Sequence, residues 1–150
     1  MKAGHIQDHP LQGEALAHLL HDLRTPFNQL FGYAAILLED ADASGFSSVK
    51  PALRGIKERG EALLERIQAA LSESAGGVSL AQVRALESIV RPEAERLLDA
   101  VMGLAASLRD MDAPDALADA GGMSASLRNL ISRVQWVARG SEQELKGIAQ

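Results

Sequence analysis

Cysteine is absent and aromatic residues are few, with one Trp, one Tyr and three Phe in 150 residues. Without thiols the chain forms neither a disulfide framework nor a thiolate metal site. Its first residues lack the basic, apolar and small-residue succession of a secretory signal. No apolar run approaches the roughly 20 residues needed to cross a bilayer, because charges such as Glu39, Asp40, Arg54 and Glu65 recur throughout. A reducing, cytoplasmic setting away from membranes is expected, and Met1 reads as an independent start. Positive charge is also in short supply, 15 Lys and Arg against 20 Asp and Glu for a net charge of −5. Nucleic acid, which needs clustered cations, is therefore an unsuitable partner, and protein partners are expected instead.

What the chain does have is 47% hydrophobic residues, mostly Leu, Ala, Val and Ile, alongside strong helix formers. This composition predicts an all-α fold with a sizeable core. From Leu16 the residues Leu16, Leu20, Leu23, Phe27, Leu30, Ala34 and Leu37 alternate at spacings of four and three, a helical seam running to about Asp40. Turn and N-cap residues from Ala43 to Ser48 end that helix and start another. The second carries Val49, Leu53, Ile56, Gly60, Leu63, Ile67 and Ala70 inward and closes at Gly76-Gly77. Ser79 is placed to cap a third helix with the seam Val90, Ala94, Leu97, Val101, Leu104, Leu108 and Met111, which Pro92 should kink or restart. Asp112 to Gly122 reads as a loop, and a fourth helix from about Ser124 turns Leu127, Leu130, Val134 and Val137 inward, weakening near Gly140 and Gly147.

The expected organisation is a flexible leader over 1–10, a helical hairpin over 11–77 and a second hairpin over 78–150. Short connections make neighbours antiparallel, giving a four-helix bundle. Gln29 to Leu37 can be laid over Ala100 to Leu108, matching Gly32 with Gly103 and keeping the apolar rhythm, and Ala52 to Ile56 over Ser126 to Leu130. Divergent copies and unrelated hairpins sharing a core period both fit this match.

The chemically distinctive segment is His21-Asp22-Leu23-Arg24-Thr25-Pro26-Phe27-Asn28, continued by Leu30-Phe31-Gly32-Tyr33. With Leu20 and Leu23 on the seam, His21 lies just off it, an imidazole facing solvent from a packed helix. Near neutral pH a substantial fraction of an ordinary imidazole is uncharged and nucleophilic. Thr25 lies one turn on, on the same face. Arg24 can offset phosphate charge. Pro26 cannot donate to the carbonyl of Asp22 and should bend the helix beside His21.

The six residues His21 to Pro26 resemble the phosphoacceptor box of the dimerisation and histidine-phosphotransfer hairpin of sensor histidine kinases. The resemblance runs through Glu39 and more loosely to about Gly77, where Gly60-Glu61-Ala62-Leu63-Leu64 is similar to the family's Ser-Gly-Glu followed by apolar residues. It implies that His21 accepts a phosphoryl group and that Asp22 orients the imidazole or takes its proton. It also makes Thr25 the candidate for positioning water in a phosphatase reaction. Receiver domains of response regulators, or a sensor kinase, are the implied partners. They would dock below His21 against Asn28, Gln29, Arg59 and Arg66.

Nothing after Gly77 resembles the family's ATP-binding boxes, and Gly76-Gly77 and Gly121-Gly122 read as helix-flanking turns, not phosphate cradles. Autophosphorylation from ATP is not expected, nor is any cofactor or metal. His5, His9, His18 and His21 lack a recognisable third ligand interval. The aspartates Asp110, Asp112, Asp115 and Asp119 lack the calcium-loop spacing and closing Glu, and read as a solvated loop. Trp136 reads as core or packing surface. Because the family makes its four-helix bundle from two chains, a chain supplying four helices is either a monomeric pseudo-dimer with a degenerate second hairpin, in which Pro92 falls near the place of His21, or a homodimer through its first two helices. Three activities stay open: a phosphorelay through His21, a response-regulator phosphatase through Thr25, and a scaffold that binds receivers or a kinase.

Overall fold

The computed structural model describes residues 13–72 and 79–149, with the side chains of 13–16, 72, 80 and 140–149 left aside. The leader over 1–10, with His5 and His9, and the Gly76-Gly77 turn lie outside the described residues, as does the side chain of Leu16. Four helices follow in order: α1 (Gly13–Ser44), α2 (Lys50–Ser72), α3 (Leu80–Asp110) and α4 (Pro114–Ala149), with a short 3-10 turn (Ser47–Val49) before α2. None of the described helices is long and apolar enough to cross a membrane.

The seams expected from the sequence are buried along most of their length, including Leu23, Phe27, Leu30, Ala34 and Leu37 on α1 and Val90, Ala94, Leu97, Val101, Leu104 and Leu108 on α3. They differ at the ends. Leu19 rather than Leu20 turns inward on α1, Leu71 rather than Ala70 on α2, and Met111 is exposed. A strict heptad drifts against a straight helix of 3.6 residues per turn, so the inward position changes after several turns. Each helix packs on its neighbour in sequence, and α1 packs on α4, closing a ring of four around one core.

Both hairpin turns use the same backbone device. At the end of α1, Gly45 takes a φ of 85° and the Phe46 N–H donates to the Ala41 carbonyl at 2.9 Å. This six-to-one bond with a left-handed residue is a Schellman motif, and buried Phe46 supplies its apolar contact. At the end of α3, Asp112 takes the left-handed position at φ 54°, and Ala113 donates to Leu108 at 3.1 Å. Between these turns Ser79 caps α3 as expected. Its hydroxyl accepts from the Gln82 N–H at 3.2 Å while the Gln82 side chain accepts from the Ser79 N–H at 2.8 Å, a reciprocal capping box.

The segment 112–122 is not the loop its composition suggested. Helix α4 starts at Pro114 and runs through Gly121 and Gly122, burying Ala116, Ala120 and Met123, and continues past Gly140 to Ala149. Pro at the first helical position has no N–H to waste and a φ already suited to the helix, so it initiates where it would otherwise break. Pro26 and Pro92 lie within continuous helices, α3 running unbroken through Pro92.

Candidate functional site

Because Leu19, Leu23 and Phe27 fill the core side of α1, His18, His21, Asp22 and Arg24 are left exposed. His21, Thr25, Asn28 and Gly32, spaced four, three and four apart, form one stripe on the outer face. Thr25 is half-buried, and its hydroxyl donates to the His21 carbonyl at 3.0 Å. Its hydrogen is thus committed to the helix, while the lone pairs of Oγ1 stay open to accept from water.

Pro26 is buried, and its missing N–H leaves the carbonyl of Asp22 without its helical donor. Helix α4 supplies a replacement: Nη1 of Arg133 donates to that carbonyl at 3.0 Å. The same nitrogen stands 3.8 Å from Oδ1 of Asp22, a loose ion pair with the carboxylate 58% exposed. Nε of Arg133 donates to Oδ1 of Asn129 at 3.1 Å, one turn back on α4. The guanidinium therefore bridges the second hairpin to the residue beside His21. Next to it, Leu19 and Leu23 of α1 and Trp136 and Val137 of α4 line an open cleft of about 320 Å³. Trp136 is 75% exposed, not part of the core, because Val134 and Ala138 take the inward positions on either side of it.

No protein-family model, curated protein or solved structure matches the chain.

The residues expected to meet a partner, Asn28, Gln29, Arg59 and Arg66, are all exposed, two on α1 and two on α2. Asn28 and Gln29 are exposed on α1, and Gln29 joins Gly32, Tyr33 and Ile36 around a shallow hollow on that helix. Arg59 turns toward α3 instead, pairing with Glu93 at 3.3 Å, and exposed Arg66 lies one heptad further along α2. Pro92, set against His21 by the internal match, is an exposed residue of α3.

At the opposite end of the bundle, Asp40, Asp112, Asp115 and Asp119 surround a cleft of about 240 Å³. Partial burial, then the charges of Asp40 and Asp115, push the Asp119 carboxyl above its ordinary range. Among the described residues no group of three or more His, Asp or Glu side chains is arranged to hold a metal ion.

Arg133 and Asn129 were not candidates in the sequence. The orphaned carbonyl at Asp22 was foreseeable from Pro26, and Asn129 and Arg133 stand at the four-residue spacing that makes helical neighbours. Which cation would fill the gap depended on the antiparallel register of α1 and α4.

Proposed function

We propose that this protein is a phosphotransfer component of two-component signalling, with His21 taking a phosphoryl group from the aspartyl phosphate of one receiver domain and yielding it to another. A nitrogen of the neutral imidazole attacks phosphorus, the bond from phosphorus to the aspartyl oxygen breaks, and the receiver recovers its carboxylate. Asp22 steadies the proton on the second ring nitrogen as positive charge develops there. Transfer to the next receiver is the reverse of these events. The observation that carries this reading is an exposed His21 next to an exposed Asp22 on a helix packed along its inner face from Leu19 to Ala41.

The helices after residue 79 complete the bundle rather than build an α/β nucleotide site, which favours a receiver over ATP as donor. With α2 and α4 both packed on α1, one chain covers the apolar seams that the family covers with two, which supports a monomeric pseudo-dimer over a homodimer. Receiver partners place it in the cytoplasm.

Thr25 supports a second reading, dephosphorylation of a receiver by a water held against Oγ1, since that oxygen has acceptor capacity beside His21. Purified protein incubated with phosphorylated receiver domains separates the two. His21→Ala abolishes acid-labile label on this chain if it relays, and Thr25→Ala slows release of inorganic phosphate if it is a phosphatase. Binding that survives both substitutions, with neither activity present, points to a scaffold for receivers or a kinase.

A further inference from the structure

We infer that Arg133 is a positioning residue for phosphoryl transfer at His21, acting from the second hairpin through Asp22; the inference rests on the phosphotransfer reading above. Two independent features of Asp22 converge on one guanidinium. The carbonyl freed by Pro26 accepts from Nη1 at 3.0 Å, and the carboxylate lies 3.8 Å from the same atom. Asn129 holds the opposite side of the guanidinium through Nε at 3.1 Å, so the group is set in place from α4 before it meets α1.

A planar guanidinium presents several donors in a fixed fork, which suits it to serving a carbonyl, a carboxylate and an amide at once. The consequence for chemistry lies in which motions are removed. At a proline gap the helix is free to open, and an exposed carboxylate is free to change rotamer. Arg133 ties the backbone at Asp22 to α4 and keeps a cation facing the Asp22 carboxylate, narrowing where that carboxylate can stand when the imidazole of His21 needs it. The contacts of Arg133 are with Asn129 and with the carbonyl and carboxylate of Asp22. Its effect passes through Asp22.

A purely structural staple between α1 and α4 is the competing role, and the geometry distinguishes them by coupling. If Arg133 acts through Asp22, removing it matters only while the Asp22 carboxylate is present. Lys can supply the charge but not the fork, so R133K should recover only part of the effect. N129A keeps the charge but loses the anchor, and serves as a milder variant should R133M fold poorly.

The experiment measures the rate of label transfer to the full chain from a phosphorylated receiver domain, for wild type, R133M, R133K, N129A, D22N and the D22N/R133M double variant. Receiver affinity and thermal unfolding are followed in parallel. Expected is a slowing of about tenfold in R133M, part of the hundredfold or more that a well-placed acid or base contributes. Receiver affinity should be unchanged, R133K and N129A should fall between R133M and wild type, and R133M should bring no further loss in the D22N background. Transfer by R133M and N129A at the wild-type rate overturns the inference and leaves the relay standing. So does an equal slowing by R133M with and without the Asp22 carboxylate. Wild-type protein that takes no label from any receiver overturns the relay itself, and the inference with it.

Discussion

The ring of Tyr33 on α1 lies against the backbone of α4 at Gly122, in the space a Cβ would occupy. This contact and the Arg133–Asp22 contact stand eleven residues apart on both helices, about three turns, so together they define the antiparallel register of α1 and α4. Gly122→Ala forces the ring and the helices apart and should destabilise the fold by about 1–3 kcal/mol. Its neighbour Gly121 has open space around its Cα, and Gly121→Ala should instead stabilise by about 0.5–1 kcal/mol through helix propensity. Urea unfolding of the two variants checks both; a destabilised Gly121→Ala or a neutral Gly122→Ala would show that the register is different.

Two aspartates should leave opposite signatures on stability against pH. The Asp42 carboxylate accepts from Lys50 at 2.9 Å and from Ser47 at 2.8 Å across the first hairpin turn, and these bonds, that of Lys50 foremost, hold its pKa below the ordinary range. Depression in the folded state means stability that is present above the unfolded pKa, about 4, and lost as pH falls through the folded value. Asp42→Asn should therefore be less stable than wild type at pH 7, with the difference closing in acid. Asp119 has the reverse sign, since burial and neighbouring carboxylates raise its pKa. Asp119→Asn should be more stable than wild type at pH 7, and the gain should vanish below about pH 4. Melting temperatures across pH 3 to 7 test both directions.

The left-handed residue of the second hairpin turn is Asp112, at φ 54°. Glycine adopts this conformation without a Cβ penalty, and Asp112→Gly also removes one of four carboxylates around the same cleft. The substitution should raise stability by up to about 1 kcal/mol, since the left-handed region costs a side-chain-bearing residue roughly 1–2 kcal/mol and Asp less than most. Asp112→Val, a β-branched residue forced into the same region, should lower it. Chemical denaturation of both variants provides the comparison.

Trp136, the one tryptophan of the chain, offers an optical probe beside Asp22. At 75% exposure its emission should resemble that of indole in water and be readily quenched by acrylamide. Trp136→Ala should change stability by less than about 0.5 kcal/mol. A blue-shifted, protected emission would contradict the placement of this face of α4.

Much of the fold was legible in the sequence because heptad spacing reports burial directly. Leu23, Phe27 and Leu30 on α1 and Leu53, Ile56 and Leu63 on α2 all face the core as that spacing requires. It failed where one residue type has two meanings. Pro114 and Gly121-Gly122 look like loop residues, yet Pro114 begins a helix and Gly122 makes room for the ring of Tyr33. Of the two places open to Trp136, core or packing surface, its position between Val134 and Ala138 excludes the core and turns it outward beside the cleft at Asp22.

The exposure of His21 and Asp22 followed from their place beside the seam. Arg133 could not be found in that way, since it meets Asp22 across 111 residues of sequence and only the packing of α4 on α1 brings them together. The Arg59–Glu93 ion pair with the next helix likewise depends on the packing of α2 on α3 and has no signal in the local sequence.

The most direct test of phosphotransfer is to incubate the purified chain with a panel of receiver domains carrying labelled aspartyl phosphate, beside His21→Ala and an ATP-only control. Phosphotransfer through His21 predicts acid-labile label on the wild-type chain from at least one receiver, none on His21→Ala and none from ATP alone. Label that persists on His21→Ala, or a wild-type chain that stays unlabelled while still binding a receiver, would contradict it.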